Sequence, residues 1–140
     1  MSKRVTPLVS ATFTAHVGNL QTTAGLSLRG QCDTPVAAQQ LEQAIKEVIG
    51  YDQPMVWVDC QRLLSLSWQG QRAIYNGHQQ ARMAGAGLYW CGLTSAVQYQ
   101  LADTGLHLLL NLLPAASYRG PAVLLQDEVP QALYTRMFAA

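Results

Sequence analysis

The sequence predicts an α/β domain built on a mixed, mostly parallel sheet of about five strands. Three observations carry this. Segments of strand length and of helical periodicity follow in the order strand, strand, helix, strand, helix, strand, helix, strand. Met55-Val56-Trp57-Val58 is an apolar run closed by Asp59, as a strand covered on both faces should be. That run, the helix before it and the strand before the helix form a crossover unit, for which parallel pairing is the expected solution.

In chain order, residues 1–11 read as a polar lead-in and 12–140 as a single domain. Thr12 to Val17 alternates, with Phe13, Ala15 and Val17 on one side, as a half-exposed strand does. A turn or longer loop over Gly18 to Thr23 leads to a second strand, Ala24 to Arg29, antiparallel to the first and ended by Gly30. Asp33-Thr34-Pro35 signals a helix start, because a capping oxygen precedes a proline at the first helical position. Leu41, Ala44, Ile45 and Val48 then recur at helical spacing up to Gly50.

After the strand ending at Asp59, residues 60–70 read as the loop that leads into a second helix. Gly70, Ala73, Ile74, Gly77, Ala81 and Ala84 make a small-residue stripe on that helix, suited to close packing on the sheet. Ala84-Gly85-Ala86-Gly87 ends it; these glycines follow a helix and precede a strand, the reverse of a dinucleotide-binding loop. Leu88 to Leu93 is the next strand. Thr94 or Ser95 caps a short helix closed by Thr104-Gly105, and Leu108 to Leu113 is a last apolar strand before Pro114. Beyond it, Val123-Leu124-Leu125 reads as a short strand or extended segment, and Val129, Leu133 and Met137 as one face of a final helix.

The totals exclude several function classes. The chain has 140 residues, 49% hydrophobic and only 12% charged, with a net charge of +1. Its nine basic residues are scattered, so neither nucleic acid nor an anionic membrane is an expected partner. No apolar run approaches the length of a membrane span, and the basic N-terminus is not followed by a signal-peptide core. Cys32, Cys60 and Cys91 form no Cys-x-x-Cys pair, which favours free thiols in a reducing compartment over a disulfide frame or a zinc site. The expectation is a cytoplasmic domain with no cofactor and no metal. His16, His78 and His107 fall on different elements and no nucleophile elbow is present, so no enzyme is expected.

Four segments then fall where one family places its own. Gly30-Gln31-Cys32-Asp33 is similar to the Gly-Glu-Leu-Asp turn of the STAS domain, the fold of anti-sigma factor antagonists and of sulfate-transporter tails. Val56-Trp57-Val58-Asp59 resembles that family's strand ending in a carboxylate. Ser67-Trp68-Gln69-Gly70 falls on its Asp-Ser-Ser-Gly signature, and Leu101-Ala102-Asp103-Thr104-Gly105-Leu106 resembles the end of its third helix. The resemblance covers about residues 12–113 and leaves an atypical extension after about 114. It implies helices packed mainly on one face of the sheet, and a partner that is an anti-sigma factor, a serine kinase-like protein or another signalling protein.

The departure from the signature is specific. In switch-type relatives the first serine of the signature is phosphorylated by the partner kinase. Here that position is Trp68, with Ser67 and Gln69 on either side, and only Gly70 is retained. An indole accepts no phosphate, so the resemblance implies a partner-binding domain without the usual switch.

The candidate partner-binding residues are therefore Asp33, Ser67, Trp68, Gln69 and Gly70. Ser67 is either a displaced phosphorylation site or the cap of the second helix. Trp68 is either an exposed binding anchor or a plug folded onto the sheet edge, with Leu64 and Leu66 forming a patch or part of the plug. Asp33 and Asp59 lack a third ligand for a metal; Asp33 reads as a cap and Asp59 as a strand-end residue bonded to the loop. The alternative reading is a regulatory domain for a small ligand or nucleotide, which requires a pocket with free N–H groups near Gly30 and Gly70.

Overall fold

The computed structural model describes residues 12–129. Five strands form one sheet in the order β1 (Phe13–Leu20), β2 (Thr23–Cys32), β3 (Met55–Leu66), β4 (Gly87–Cys91) and β5 (Asn111–Leu113). The first pair is antiparallel and the other three are parallel. Helices α1 (Pro35–Ile49), α2 (Trp68–Met83) and α3 (Ser95–Thr104) make the crossovers. The expected fold class is observed.

Local chemistry sets the helix starts. Thr34, Ser67 and Thr94 are the N-caps, each accepting from the backbone N–H three residues on: Ala37 at 3.1 Å, Gly70 at 3.5 Å and Val97 at 3.3 Å. Gly105 closes α3 in the left-handed conformation, φ 79°. β1 and β2 are joined by Gln21-Thr22 alone, between the paired Leu20 and Thr23, so the turn lies beyond Gly18-Asn19.

One face of the sheet carries the main core. Leu26, Leu28, Val56, Val58, Cys60, Leu88 and Trp90 alternate along the strands and pack with Leu41, Ile45 and Val48 of α1, Ala73 and Ile74 of α2, and Val97 and Leu101 of α3. The small stripe of α2 faces α1 as well as the sheet. A Cβ on Gly77 would lie 2.5 Å from Ile45 Cδ1, so the glycine permits close helix contact.

Four expectations are corrected. β2 does not end at Gly30: that residue, with φ 95°, lies inside a strand that continues to Cys32. β3 does not end at Asp59 but runs to Leu66, so residues 60–66 are strand and Ser67 alone joins it to α2. Two register shifts against β2, between Ser27 and Arg29 and between Gly30 and Gln31, each add one residue to β3. Inward residues consequently change from Val56, Val58 and Cys60 to Leu63 and Leu66, a spacing of three that hides the strand. Leu106–Leu108 is a 3-10 turn and only Asn111–Leu113 is strand. Ala122–Leu125 is likewise a 3-10 turn. The expected final helix lies outside the described residues.

Residues beyond Pro114 cross the opposite face of the sheet. Tyr118 is buried there, its hydroxyl donating to Pro121 O at 2.9 Å. A Cβ on Gly25 in mid-β2 would meet Pro121 Cδ and Tyr118 Oη, both at 2.8 Å, so this strand glycine makes room for the crossing segment. Arg29 secures it, donating to the carbonyls of Leu124 (3.0 Å), Gln126 (2.5 Å) and Asp127.

Candidate functional site

The carboxyl ends of β2 and β3 meet the starts of α1 and α2 at one corner of the sheet. β3 outruns β4, since its pairing with β4 stops at Asp59, and α3 lies against the overhang. The main-chain N–H of Leu66 donates to Gln100 Oε1 of α3 at 2.8 Å. Gln71, buried in the first turn of α2, donates to Gln100 O at 3.1 Å and accepts from the Thr104 hydroxyl at 2.6 Å. The position and angle of the α2 start are thus fixed by two side chains and one carbonyl of a different helix.

Within this corner Ser67 caps α2 and is half-buried. Its N–H donates to Cys32 O at 3.1 Å, and its hydroxyl reaches Gln69 Oε1 at 2.8 Å and Cys32 O at 3.3 Å. Gly70 is the close-approach residue: a Cβ there would stand 2.7 Å from Cys32 O and 3.1 Å from Cys32 Sγ. The Cys32 thiol is pushed up to about 12 by burial and then by the neighbouring Asp33 charge, so it stays protonated and inert. Asp33 is not the cap of α1, a role Thr34 fills. It is exposed, and Oδ2 accepts from the Ser65 hydroxyl at 2.8 Å.

Trp68, the first residue of α2, is 65% exposed, so it is no core plug. Leu64 is 58% exposed while Leu66 is buried, and the two therefore divide between surface and core. The structure brings Asp33, Ser67, Trp68, Gln69 and Gly70 to one corner. It places Asp59 elsewhere, in mid-strand and fully buried under the segment that crosses the opposite face. Asp59 Oδ1 accepts from Gln61 Nε2 at 3.0 Å and Oδ2 faces the Arg62 guanidinium at 3.6 Å. Arg62 also pairs with Asp127 at 2.7 Å. Asp33 and Asp59 are therefore no ligand pair, and no cluster of potential metal ligands occurs among the described residues.

Ser65, Gln71, Gln100 and Thr104, which shape this corner, escaped sequence reasoning because their partners are remote in the chain. The one available signal was Gln71, a polar residue on the otherwise small and apolar face of α2.

The sheet order, the antiparallel first pair and the helices of the core face define the STAS fold. Two solved structures share it: an anti-sigma factor antagonist from Mycobacterium paratuberculosis and the anti-sigma factor antagonist SpoIIAA in its unphosphorylated form. The first is 23% identical, covers 81% of this chain and 92% of its own, and has a TM-score of 0.60. The second is 14% identical, covers 76% and 90%, and has a TM-score of 0.61. No family model matches the sequence. No curated protein matches it either. No helix among the described residues is long and apolar enough to cross a membrane.

Proposed function

We propose that this is a non-enzymatic signalling domain that binds a regulatory protein partner, in the manner of an anti-sigma factor antagonist, through the corner around Asp33 and Ser67 to Gly70. It does so without a phosphorylation switch at the usual position. One observation carries the reading: the residue at that position, Trp68, is an indole held out into solvent at a helix start fixed from three sides. Exposed tryptophans at rigid positions are frequent binding anchors. Ser67, by contrast, is the cap of α2, and a phosphate on it would remove the proton its hydroxyl offers to Gln69 Oε1 and Cys32 O and set negative charge against those two oxygens.

The ligand-binding alternative, which needs free N–H groups beside Gly30 and Gly70, has less support. The spaces beside Gly30 and Gly70 are filled by the backbone of Thr12 and Cys32, and the Gly70 N–H is taken by Ser67.

The test is retention of host proteins by the tagged chain and by its Trp68→Ala variant. The expected outcome is recovery of a kinase-like or sigma-regulatory protein by the wild type and its loss with Trp68→Ala, stability changing by no more than about 0.5 kcal/mol. Recovery of nothing but the chain itself or a metabolic enzyme, or equal retention by both forms, would sink the proposal.

A further inference from the structure

The solvent side of α2 differs in composition from that of its neighbour. Its exposed residues are Trp68, Arg72, Tyr75, Gln79, Arg82 and Met83. At about 100° per residue these share one arc, roughly 100° wide and about 22 Å long. Trp68 is 65% exposed and Met83 89%. All but Gln79 are of the types enriched in protein interfaces, while lysine, glutamate and aspartate, the types depleted there, do not occur in α2. The exposed side of α1, with Gln39, Gln43 and Lys46, is ordinary solvated surface.

Charge identifies what fits. Arg72 and Arg82 have no ion-pair partner among the described residues, and α2 contains no acid that could neutralise them. The nearby Glu42 of α1 is occupied in accepting from Asn76 at 3.2 Å. We infer that the whole outer face of α2, and not its first turn alone, docks a protein partner whose contact surface is acidic around an apolar centre. This deepens the reading of the domain as a protein-binding module and rests on it. Two arginines attract an anionic lipid surface too weakly for stable attachment, which takes a larger basic cluster. A net charge of +1 likewise offers little to a nucleic acid. Against acidic side chains, two guanidiniums set before and after Tyr75 on one helix face supply register and selectivity.

The probes are two synthetic amphipathic peptides of roughly 18 residues with the same leucine face, one flanked by glutamate and the other by lysine. Amide NMR spectra of the labelled protein report where each binds. The glutamate peptide should move resonances across residues 68–83, and its affinity should fall about tenfold between low and high salt. Arg72→Glu combined with Arg82→Glu should reverse the preference toward the lysine peptide, with the melting temperature falling by no more than a few degrees because an acid at 82 opposes the helix dipole. Equal responses to the two peptides, shifts centred on another face, or preferential binding to phosphatidylserine vesicles or polyphosphate would overturn the inference. If Trp68→Ala abolishes partner retention while the peptides show no preference, the acidic-partner inference alone falls. If Trp68→Ala leaves retention intact, the interaction reading falls with it.

Discussion

Gly70→Ala adds one methyl group where the site is tightest. The new Cβ would stand 2.7 Å from Cys32 O, a backbone atom that also accepts from Ser67 N. Relief therefore requires moving the β2–α1 connection or tilting the start of α2, and either lengthens the Ser67 bond. Overpacking of this kind costs about 1–3 kcal/mol, against which alanine regains at most about 1 kcal/mol of helix propensity. Because the clash is with a backbone atom, the cost falls in the upper half of that range, and the net loss is about 1–2 kcal/mol, or roughly 3–8 °C in melting temperature for a chain of this size.

Gly77→Ala is the instructive comparison. Its Cβ would stand 2.5 Å from Ile45 Cδ1, a side-chain end rather than backbone. Ile45→Val removes that atom, so the double variant Gly77→Ala with Ile45→Val should be less destabilised than the sum of its parts. Cys32→Ala removes only the sulfur at 3.1 Å and leaves the carbonyl, so it should not rescue Gly70→Ala. Urea and thermal unfolding of the six variants followed by circular dichroism give the coupling energies. A neutral or stabilising Gly70→Ala, or its rescue by Cys32→Ala, would refute the claim that backbone contact fixes this corner.

Arg62→Ala leaves Asp59 buried without its cation and should cost about 2–3 kcal/mol, less than a wholly buried pair because Arg62 is partly exposed; adding Asp59→Asn should recover part of the loss in denaturant melts. Arg29→Ala frees the carbonyls of Leu124, Gln126 and Asp127, so amide exchange over 122–127 should quicken while that of α2 is unchanged. Burial raises the thiol of Cys32 to about 12 and that of Cys91 to about 11, and that of Cys60 well above its ordinary value. A raised folded pKa gives stability that is complete below the unfolded value near 9 and declines as the unfolded thiols ionise, so unfolding titrations should show a loss from pH 9 to about 12. No thiol should react with an aromatic disulfide at pH 8 until the protein is unfolded. Trp68→Glu places an acid in a first turn that has none and should stabilise the fold by about 0.3–1 kcal/mol in thermal melts, while weakening capture of an acidic partner; destabilisation would contradict the helix-start geometry.

What could be read from the sequence was local. Thr34-Pro35, Ser67 and Thr94 announced helix starts because a cap bonds its own next turn, and Gly105 announced an end for the same reason. The second half of β3 could not be read, because two bulges replace a period of two by a spacing of three, and Gly30 imitates a terminator while sitting inside a strand. The segment over the opposite face was hidden for another reason: its anchors, Arg29 and Gly25, lie about ninety residues earlier in the chain. Of the site, Gly70 and Trp68 were visible by position. The network of Gln71, Gln100 and Thr104 that holds them was not, since it depends on how α3 crosses the end of β3.

The retention of Gly70 beside the departure at Trp68 follows from their different tasks. Glycine at 70 answers to the backbone: Cys32 O leaves no room for a side chain, whatever partner the domain meets. Residue 68 answers to nothing inside the domain, because its side chain points into solvent and its backbone N–H, like others in a first helical turn, needs no partner within the helix. A change at 68 therefore leaves the fold intact and alters only what the surface offers. Under the proposed function, an indole at 68 offers no hydroxyl for a phosphate and presents a large apolar contact instead, so control at that point would rest with the partner and not with a charge on this residue. The same reasoning sets the order of tolerance in the corner: positions packed on Cys32 accept nothing larger, whereas positions on the outer arc of α2 can change freely until binding, not folding, suffers.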